Sequence, residues 1–583
     1  MLSFRHGAAI LVGCAALFSA AGAARAQDAG GGSYLKDGDV VVFYGDSITD
    51  QRLYTTFVEN YIVTRFPHLN VRFIHSGWGG DRVGGGGGGP IDRRLQRDVF
   101  AYKPTVMTIM LAMNDGGYRP FDQGIFDTFS NGYTHIFDSV QKTLPGIRMT
   151  AIQPSPYDDV THAPNFPEGY NSVLIRYGQF AKELAQRNNQ NIADLNTPVV
   201  AMLQKAKEID PGLASKILPD RVHPGPGGHL IMAEALLKSW NSPAIVTNVE
   251  IDAAGKRVVH SDNTQVTELK AAGAVSWTQI DGALPMPIDF RDSTVALAVK
   301  SSNVLDAIDM EPLKVTGLPA GSYDVKIDGS EAGTFTQDQL AQGINLATLR
   351  TPMSQQATKV AKLTQQHNDL HFFRWRQIQV PCMDHSRAVQ DALPTLLAAL
   401  DGEEAGIVAQ QHSAAQPMPH HYEVAVALPA PPPPAGANIA LNKKYECSDP
   451  NTYNWGIGGL TDGSWEGTNQ HCFASGDANT FPKTATIDLE KVTPISDVML
   501  GVPGFGSTKT ITVSVSEDGK TFTDVGSYVF SQRNEERHRY NFKQIPARYL
   551  RLTYPDHYDE QADYPPTFVF TTEVEVYNGI EAK

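Results

Sequence analysis

Three features that would place the chain in particular classes of protein are scarce or absent. Basic residues are outnumbered, at 48 Lys and Arg against 63 Asp and Glu, so the basic footprint that a nucleic-acid partner needs is missing. After the N-terminal segment, no apolar run reaches the roughly 18–20 residues of a membrane span. Cysteine is limited to four residues. Only Cys447 and Cys472 share a predicted domain and are able to pair in an oxidising compartment, while Cys382 is expected to be a buried free thiol.

Residues 1–26 have the anatomy of a bacterial Sec signal peptide. A short polar start is followed by an apolar stretch over 8–21 and by the cleavage motif Ala24-Arg25-Ala26. This pattern predicts cleavage after the last of these residues and export to the periplasm or the outside of the cell. A lipobox-like sequence ends at Cys14, but too little apolar sequence precedes that cysteine. The mature chain is expected to carry no integral membrane segment.

The length predicts several domains rather than one. Changes in composition and periodicity give a flexible leader at 27–37, an α/β domain at 38–245, a β-rich insert with helices at 246–427, a Pro-rich linker at 428–437 and an antiparallel β-sandwich at 438–583. The linker contains the run Leu-Pro-Ala-Pro-Pro-Pro-Pro, which favours a stiff extended conformation. It marks the clearest boundary in the chain.

Strand-like apolar runs alternate with helical patterns through the α/β domain. The runs lie at 40–44, 71–74, 105–111, 149–153 and 191–195. This alternation predicts a parallel sheet with helices on both faces. In such a sheet, functional groups gather beyond the carboxyl ends of the strands.

The segment 246–427 is less regular. Two strand-like runs, 313–318 and 323–327, flank the turn sequence Pro319-Ala320-Gly321-Ser322, which predicts a β-hairpin. A helical pattern follows at 353–412 and carries a second polar cluster, composed of His367, His371, Arg374, Trp375 and Arg376. This cluster either borders the cleft of the α/β domain or holds the segment against it, and its spacing is not that of a metal-ligand set.

Four short motifs follow predicted strands of the α/β domain, the last of them after the final predicted strand and before the final helix. They are GDSIT at 45–49, GWGGD at 77–81, ND at 114–115 and DRVHP at 220–224. Each motif alone arises easily by chance. Their shared position at strand ends places all four at one edge of the predicted sheet.

Taken in order, these motifs resemble the four blocks of the SGNH/GDSL hydrolase superfamily, over about residues 38–240. The resemblance implies a three-layer, flavodoxin-like fold. It also implies that Ser47 is the nucleophile, that Gly80 and Asn114 help to form the oxyanion hole, and that Asp220 and His223 activate the serine.

Elementary chemistry supports those roles. A serine hydroxyl is a weak nucleophile that needs a base within hydrogen-bond reach. His223 would take its proton and return it to the leaving alcohol, while Asp220 would hold the imidazole in place. Backbone N–H groups of Ser47 and Gly80, with the Asn114 amide, would donate to the oxyanion. No cofactor is needed for this chemistry.

The chain departs from the superfamily pattern at two positions. His75 stands at the start of the second block, where Asn is usual, and Ala112 stands two residues before Asn114, where Gly is usual. We expect His75 to alter the bonding around the site and Ala112 to narrow the space behind the oxyanion hole. Neither change removes a reacting group.

Residues 438–583 resemble the discoidin, or coagulation factor type C, sandwich, a galactose-binding-like jelly roll shared by many carbohydrate-binding modules. The matching pieces lie at 438–442, 460–463, 512–519, 547–552 and 572–577. Members often carry a structural calcium ion. By motif position Asp462 and Glu573 would supply carboxylate ligands, or else they are two ordinary surface acids.

Three further residues of this segment are candidates for a sugar-facing loop, because aromatic faces stack on sugar rings. They are Trp455, Trp465 and His471. Packing in the core of the sandwich is the alternative for each of them.

Together these features predict a secreted serine esterase that removes O-acyl groups, O-acetyl first among them, from a polysaccharide or oligosaccharide through an acyl-enzyme on Ser47. Two alternatives stay open. One is a lipase, small-ester or thioester hydrolase of the same superfamily. The other is a glycan-binding surface protein with a vestigial catalytic domain, which the intact Ser47, Asp220 and His223 disfavour.

Overall fold

The computed structural model describes residues 34–427, 434, 436–456, 458–532, 535–559 and 564–579. The chain forms two compact units that divide between Leu428 and Pro429. The predicted signal segment and most of the predicted linker lie outside the described residues. None of the described helices combines the length and the apolar composition needed to cross a bilayer.

The first unit begins with an α/β domain. Its elements are β1 (Val40–Gly45), α1 (Ser47–Asp50), α2 (Leu53–Arg65), β2 (Arg72–Gly77), β3 (Gly85–Gly86), β4 (Gly89–Pro90), α3 (Ile91–Asp98), β5 (Val106–Met110), α4 (Gln123–Thr143), β6 (Arg148–Gln153), α5 (Tyr170–Arg187), β7 (Asn191–Asp194), α6 (Thr197–Ile209), α7 (Pro211–Ala214) and α8 (Pro226–Ser239).

A parallel sheet in the order β2-β1-β5-β6-β7 forms the centre of this domain. Consecutive residues are buried along β1 and β5, so both faces of the sheet are covered, as parallel sheets require. The predicted α/β fold is confirmed. The register pairs Gly45 with Gly77 and with Met110. The first three sequence motifs therefore leave the sheet side by side at one edge.

The rest of the first unit is built from β8 (Asn248–Asp252), β9 (Arg257–Asp262), β10 (Thr264–Ala272), β11 (Ala274–Asp281), α9 (Ser293–Lys300), α10 (Val304–Ile308), β12 (Pro312–Thr316), β13 (Ser322–Ile327), β14 (Ser330–Thr336), α11 (Gln337–Gln342), β15 (Ile344–Asn345), α12 (Pro352–Phe372), α13 (Val380–Cys382), α14 (Arg387–Ala414) and β16 (Pro419–Val426). Its strands form two sheets, β10-β11-β16-β13-β14 and β15-β12-β8-β9.

The hairpin predicted around residues 319–322 is wrong. β12 pairs with β8 in parallel and with β15, whereas β13 pairs with β14 and β16 in the other sheet. The turn residues do reverse the chain, but they carry it from one sheet to the next. Local turn chemistry specifies the reversal, and the distant partner strands decide the pairing.

A buried His–Glu cluster (Glu59, His75, His367 and Glu404) joins α12 and α14 to the α/β domain. His367 Nδ1 lies 3.1 Å from Glu59 Oε1, and its Nε2 lies 3.1 Å from Glu404 Oε1. His75 Nε2 lies 3.2 Å from the other Glu59 oxygen. The sequence left two roles open for the second polar cluster. At its His367 end, the cluster holds the segment against the α/β domain.

Charge within this cluster follows from its contacts. Burial alone would lower the pKa of His367, but the Glu59 and Glu404 carboxylates outweigh it and raise that pKa to about 10. Burial alone would raise the pKa of Glu59, but His367 and His75 outweigh it and hold that pKa below its usual range. His367 and Glu59 are therefore a buried ion pair at neutral pH.

Replacing His367 by Gln is expected to lower the free energy of unfolding by about 3 kcal/mol at pH 6, because two buried carboxylates lose their cation. A His whose folded pKa is raised stabilises fully below its unfolded pKa of about 6.5 and loses that effect as the pH rises through the folded value. The gap between wild type and variant should therefore narrow from pH 6.5 to about 10. Urea unfolding across this range measures it.

The matched control is His135→Gln, which removes a histidine paired with Asp92 at the surface. That variant should lower the free energy of unfolding by less than about 0.5 kcal/mol. A gap for the His367 variant that stays constant with pH would contradict a protonated imidazole at this position.

The second unit contains β17 (Tyr445–Cys447), β18 (Phe473–Ala474), β19 (Lys483–Val502), β20 (Thr510–Ser516), β21 (Thr523–Val529), β22 (Glu536–Tyr554), β23 (Phe570–Thr571) and β24 (Val574–Tyr577). The main sheet has the order β17-β19-β22-β20-β21, with β24 paired to β19, and β18 pairs with β23. All of these pairings are antiparallel, which confirms the antiparallel sandwich predicted for this segment.

The disulfide considered between Cys447 and Cys472 is not formed. Both residues are free thiols, and so is Cys382, which is half-exposed rather than buried as predicted. Cys447 points its sulfur at the carbonyl oxygen of Asp449, and Cys472 is buried against the carbonyl oxygens of Phe473 and Thr571. The two cysteines lie in one domain, but their sulfur atoms contact different carbonyl groups.

Candidate active site

Ser47 follows the tight connection between β1 and α1. Asp46 caps the helix by accepting a hydrogen bond from the Ile48 N–H at 3.1 Å, so Ser47 is the first helical residue. The end of β2 approaches so closely that a Cβ on Gly77 would lie 2.2 Å from the Asp50 nitrogen. Only glycine fits there, and the contact fixes the first turn of α1 against the sheet edge.

The structure brings Ser47, His223 and Asp220 together. His223 Nε2 lies 2.7 Å from Ser47 Oγ, and His223 Nδ1 lies 2.6 Å from Asp220 Oδ2. The other Asp220 oxygen accepts the backbone N–H groups of Val222 and His223. Burial tends to raise the pKa of Asp220, but these hydrogen bonds outweigh it and lower that pKa. Asp220 therefore stays ionised beside the imidazole, as a serine–histidine–aspartate relay requires.

The loop that carries Asp220 and His223 is anchored through Arg221. This residue has a left-handed backbone, with φ of 72°, and its guanidinium donates to Asn165 Oδ1 and to the carbonyl oxygens of Asp158 and Ala163. Strained non-glycine residues persist where surrounding contacts hold them, often at functional sites. The anchoring fixes the aspartate and histidine relative to the sheet.

Gly80 and Asn114, the other two residues assigned to the oxyanion hole, follow the ends of β2 and β5, the two strands that neighbour β1 in the sheet. Gly80 has φ of 78°, and no atom lies within 4 Å of the position a Cβ would take, so the backbone is open to a ligand. Asn114 Nδ2 donates to the carbonyl oxygen of Asp81 at 3.0 Å, which leaves its second hydrogen free. The Tyr118 hydroxyl donates to Asn114 Oδ1 at 2.9 Å and fixes which end of the amide is the donor.

Two residues that organise this hole were missed in the sequence. Asp115 accepts the backbone N–H groups of Val83 and Ala112 at 3.0 and 3.1 Å, and so ties the loop that follows the second motif to the residues that lead into the third. Tyr118 holds the Asn114 side chain, as described above. Asp115 was visible as part of the third motif, but no sequence signal identifies its partners, and nothing in the sequence pattern singles out Tyr118.

Asp46, the residue before the nucleophile, has a carboxyl group that is shielded from solvent. Asp46 is buried, and burial raises its pKa to about 7 against the lowering effect of the Ile48 N–H. Nearby Asp115 and Asp81 raise it further. Asp46 therefore caps α1 with less negative charge than an exposed aspartate would place beside Ser47.

Ala112 has φ of 115°, a conformation that L side chains rarely adopt. The departure from glycine at this position therefore strains the backbone, in addition to any effect on the space behind the hole. His75, the other departure, binds Thr55 Oγ1 at 2.8 Å and belongs to the buried His–Glu cluster.

Ala112→Gly is expected to raise the free energy of unfolding by about 1 kcal/mol. Glycine relieves the backbone strain, and the greater conformational entropy of the unfolded glycine chain offsets part of that gain. Ala201→Gly, at an exposed position of α6, is the control. It should lower the free energy of unfolding by about 1 kcal/mol. Urea unfolding of both variants checks the pair. Destabilisation by both substitutions would contradict strain at Ala112.

In the second unit the structure separates the predicted sugar-facing residues. Trp465 lines an open surface depression of about 600 Å³ with Glu466, Glu535 and Arg537, and the Arg537 guanidinium lies 4.3 Å from the centre of the Trp465 ring. Trp455 packs instead in an aromatic cluster with Phe505, Tyr564 and Phe570. His471 binds Asp462 through Nδ1 at 2.8 Å.

Asp462 and Glu573 lie close to one another. Glu573 Oε2 accepts the Gly463 N–H at 3.1 Å, while its buried Oε1 has no hydrogen-bond partner among the described residues. Burial, with a contribution from Asp462, raises the pKa of Glu573 to about 8. Within the described residues, no three His, Cys, Asp or Glu side chains form a group suited to a metal ion. A cation here would therefore need backbone oxygens to complete its shell.

A serine, a histidine and an aspartate in hydrogen-bonded series at the edge of a parallel sheet, beside an open glycine and an asparagine amide, define the catalytic domain of an SGNH-type hydrolase. Residues 43–231, which make up most of the α/β domain, match the model of the GDSL-like lipase/acylhydrolase family. Residues 459–552 match the model of the NedA-like, galactose-binding domain. The protein is thus a carboxylic ester hydrolase with a discoidin-type second unit.

The known proteins that are similar to this chain include the following two. An acetylxylan esterase of Geobacillus stearothermophilus is 26% identical over 225 residues, which are 35% of this chain and 94% of that protein. A gut microbial diltiazem-metabolizing enzyme of known structure is 27% identical, with a TM-score of 0.58, over 67% of this chain and 98% of that chain. The second match covers more of the chain than the α/β domain contains, so the fold likeness extends beyond that domain.

Proposed function

We propose that this protein is exported and removes O-acetyl groups from a polysaccharide or its oligosaccharides through an acyl-enzyme on Ser47. The observation that carries this proposal is the exposure of the triad: the side chains of His223 and Asp220 are 36% and 54% exposed. A nucleophile at an open surface suits a short acyl group displayed on a bulky chain. A long acyl chain would need an enclosed apolar pocket.

The reaction follows from the distances in the site. His223 Nε2 accepts the proton of Ser47 Oγ as that oxygen attacks the ester carbonyl. The tetrahedral oxyanion is stabilised by the N–H groups of Ser47 and Gly80 and by the Asn114 amide. His223 then gives its proton to the sugar hydroxyl that leaves. Water, deprotonated by the same imidazole, releases acetate from Ser47 in the second half.

Three further features support a polysaccharide substrate. The acetylxylan esterase is a relative of the catalytic domain, the second unit matches a galactose-binding domain, and residues 1–26 have the composition of a signal peptide. A binding module tethered to the enzyme raises the effective concentration of the catalytic site on a polymer.

The test mixes the purified protein with acetylated xylan and, separately, with a nitrophenyl ester of medium chain length. Release of acetate that stops in Ser47→Ala supports the proposal, and chemically deacetylated xylan is the blank. A strong preference for the medium-chain ester would favour a lipase-like enzyme. Binding to xylan without release of acetate by the wild type would favour a glycan-binding protein.

For the second unit we propose a structural calcium ion held by Asp462 and Glu573. The oxygen-only donor pair, the unpartnered Glu573 oxygen and the raised pKa of Glu573 fit a hard divalent cation. Added Ca²⁺ should raise the melting temperature of the wild type, and Glu573→Gln should abolish that rise. Glu446→Gln, an exposed change on β17, should keep it. Equal responses of all three proteins would contradict the site.

We also propose that sugar binding by this unit centres on Trp465 and on Arg537, whose guanidinium lies over the Trp465 ring in the same depression. Trp455 and His471, the other two candidates, would act by shaping the neighbouring loops, since each is engaged with protein partners. Trp465→Ala should weaken binding to the polysaccharide without changing turnover of a small acetyl ester, as measured by pull-down and by kinetics.

A further inference from the structure

The helical part of the first unit reaches the active site through one bend. α12 is followed by a π-helical turn, Phe373–Gln379, before the short α13 begins. Such turns re-aim side chains and are frequent at functional sites. Here the bend directs two neighbouring residues, Trp375 and Arg376, toward the second sequence motif of the α/β domain.

Trp375 anchors the bend. It is buried, its indole N–H donates to Asp98 Oδ1 at 2.7 Å, and its ring meets that of Trp78 edge to face, with centroids 5.7 Å apart. Trp78 directly precedes Gly79 and Gly80. The bend is therefore fixed against the loop that supplies a backbone donor to the oxyanion.

Arg376 also packs on the Trp78 ring. Its Cζ is 3.2 Å from the centre of the Trp78 ring. Its two terminal nitrogens lie 3.5 Å from the carbonyl oxygen of Gly77 and 3.5 Å from Asp50 Oδ2. The guanidinium thus bridges the end of β2 and the end of α1, the helix that begins with the nucleophile.

Asp50, at one end of that bridge, also holds the loop that contains Gly80. Its Oδ2 accepts the Gly79 N–H at 3.0 Å, and so positions the residue before Gly80. A methyl group placed on Gly79 would lie 3.6 Å from this oxygen and 4.0 Å from Ser47 Cβ. The Asp50 carboxylate that holds the loop is therefore at most about 7.6 Å from Ser47 Cβ, near enough for an uncompensated negative charge to oppose the forming oxyanion.

We propose that Arg376 is a positioning residue for ester hydrolysis that acts through Asp50. It neutralises the Asp50 carboxylate, so that Asp50 can hold the Gly79 N–H without opposing the negative charge that develops at Ser47. The segment 246–427 then contributes directly to turnover, because its π-helical bend delivers the compensating charge.

The test uses p-nitrophenyl acetate, a small ester, so that its outcome does not depend on which polymer is the substrate. In Arg376→Gln, kcat should fall about tenfold with KM within about twofold, a smaller loss than removal of an oxyanion donor brings. Arg376→Lys keeps the charge and should stay within about threefold of wild type. Arg387→Gln, an exposed arginine that starts α14, is the control and should match wild type.

The decisive variant adds Asp50→Asn to Arg376→Gln. Asparagine can still accept the Gly79 N–H but carries no charge, so the double variant should regain kcat to within about threefold of wild type. A purely structural role of Arg376 cannot give this rescue. A double variant no faster than Arg376→Gln, a loss seen in KM instead of kcat, or a lysine variant as slow as the glutamine variant would overturn the proposal.

Folding is checked on each variant by thermal unfolding, and kcat is expressed per active site by titration with a fluorophosphonate. If Arg376→Gln does not fold, Arg376→Met takes its place, since methionine keeps apolar volume over Trp78. The same rescue by Asp50→Asn is then required.

Discussion

Ser47→Ala is expected to lower kcat/KM for p-nitrophenyl acetate by at least about 10⁴-fold, the scale seen when a triad nucleophile is lost. The physical reason is that alanine leaves no oxygen within reach of His223 Nε2, which lies 2.7 Å from Ser47 Oγ in the wild type. Residual hydrolysis would come from the oxyanion donors and bound water. Initial-rate kinetics with an unchanged melting temperature check the result.

Ser386→Ala is the matched control, because Ser386 also stands at the start of a helix but is exposed and makes no capping bond. Its kinetics should equal those of the wild type. If the Ser47 variant kept more than about one hundredth of the wild-type rate, Ser47 could not be the nucleophile.

Asn114→Ala is expected to lower kcat by about 10²–10³-fold with little change in KM, because its amide donates to the oxyanion and only weakly to the ground-state ester. The arrangement of the side chain supports this split. Tyr118 holds Asn114 Oδ1 and the carbonyl oxygen of Asp81 takes one amide hydrogen, so the remaining hydrogen is aimed before substrate arrives.

The control for this variant is Asn131→Ala, an exposed change on α4. Full kinetic curves for both proteins separate kcat from KM. A loss that falls mainly on KM would make Asn114 a substrate-binding residue, and a loss below about tenfold would leave the oxyanion to the backbone N–H groups alone.

The α/β domain could be predicted because its information is local. Apolar runs of strand length and helical patterns predicted the order of elements, and the first three motifs could be placed at strand ends from the sequence alone. The register of Gly45 with Gly77 and Met110 then places the first three motifs side by side at one edge. The fourth motif reaches the same site, since His223 bonds Ser47.

Features that depend on distant partners could not be predicted. The turn at 319–322 gave no sign that β12 pairs with β8, some 60 residues earlier in the chain. Cys447 and Cys472 share a domain but point at separate carbonyl oxygens. Asp115 and Tyr118 act through residues that a motif does not specify, because a side chain's hydrogen-bond partners are set by the packed structure.

The segment 246–427 shows the same limit most clearly. Its histidines and arginines were visible as a polar cluster, and two placements for them were left open. Each placement applies to one end of the cluster. His367 joins the buried network with Glu59, while Arg376 reaches the rim of the active site beside Trp78. Arg376 lies in the π-helical bend that follows the helix of His367, and no sequence pattern predicts that bend.

The most direct test of the account is covalent labelling with a fluorophosphonate, which loses fluoride when an activated serine oxygen attacks phosphorus. Intact mass followed by peptide mapping should show one adduct, on Ser47, in step with loss of esterase activity. His223→Ala should label far more slowly, because the base that activates the oxygen is gone. An adduct on another serine, or full activity after Ser47 is modified, would contradict the central claim.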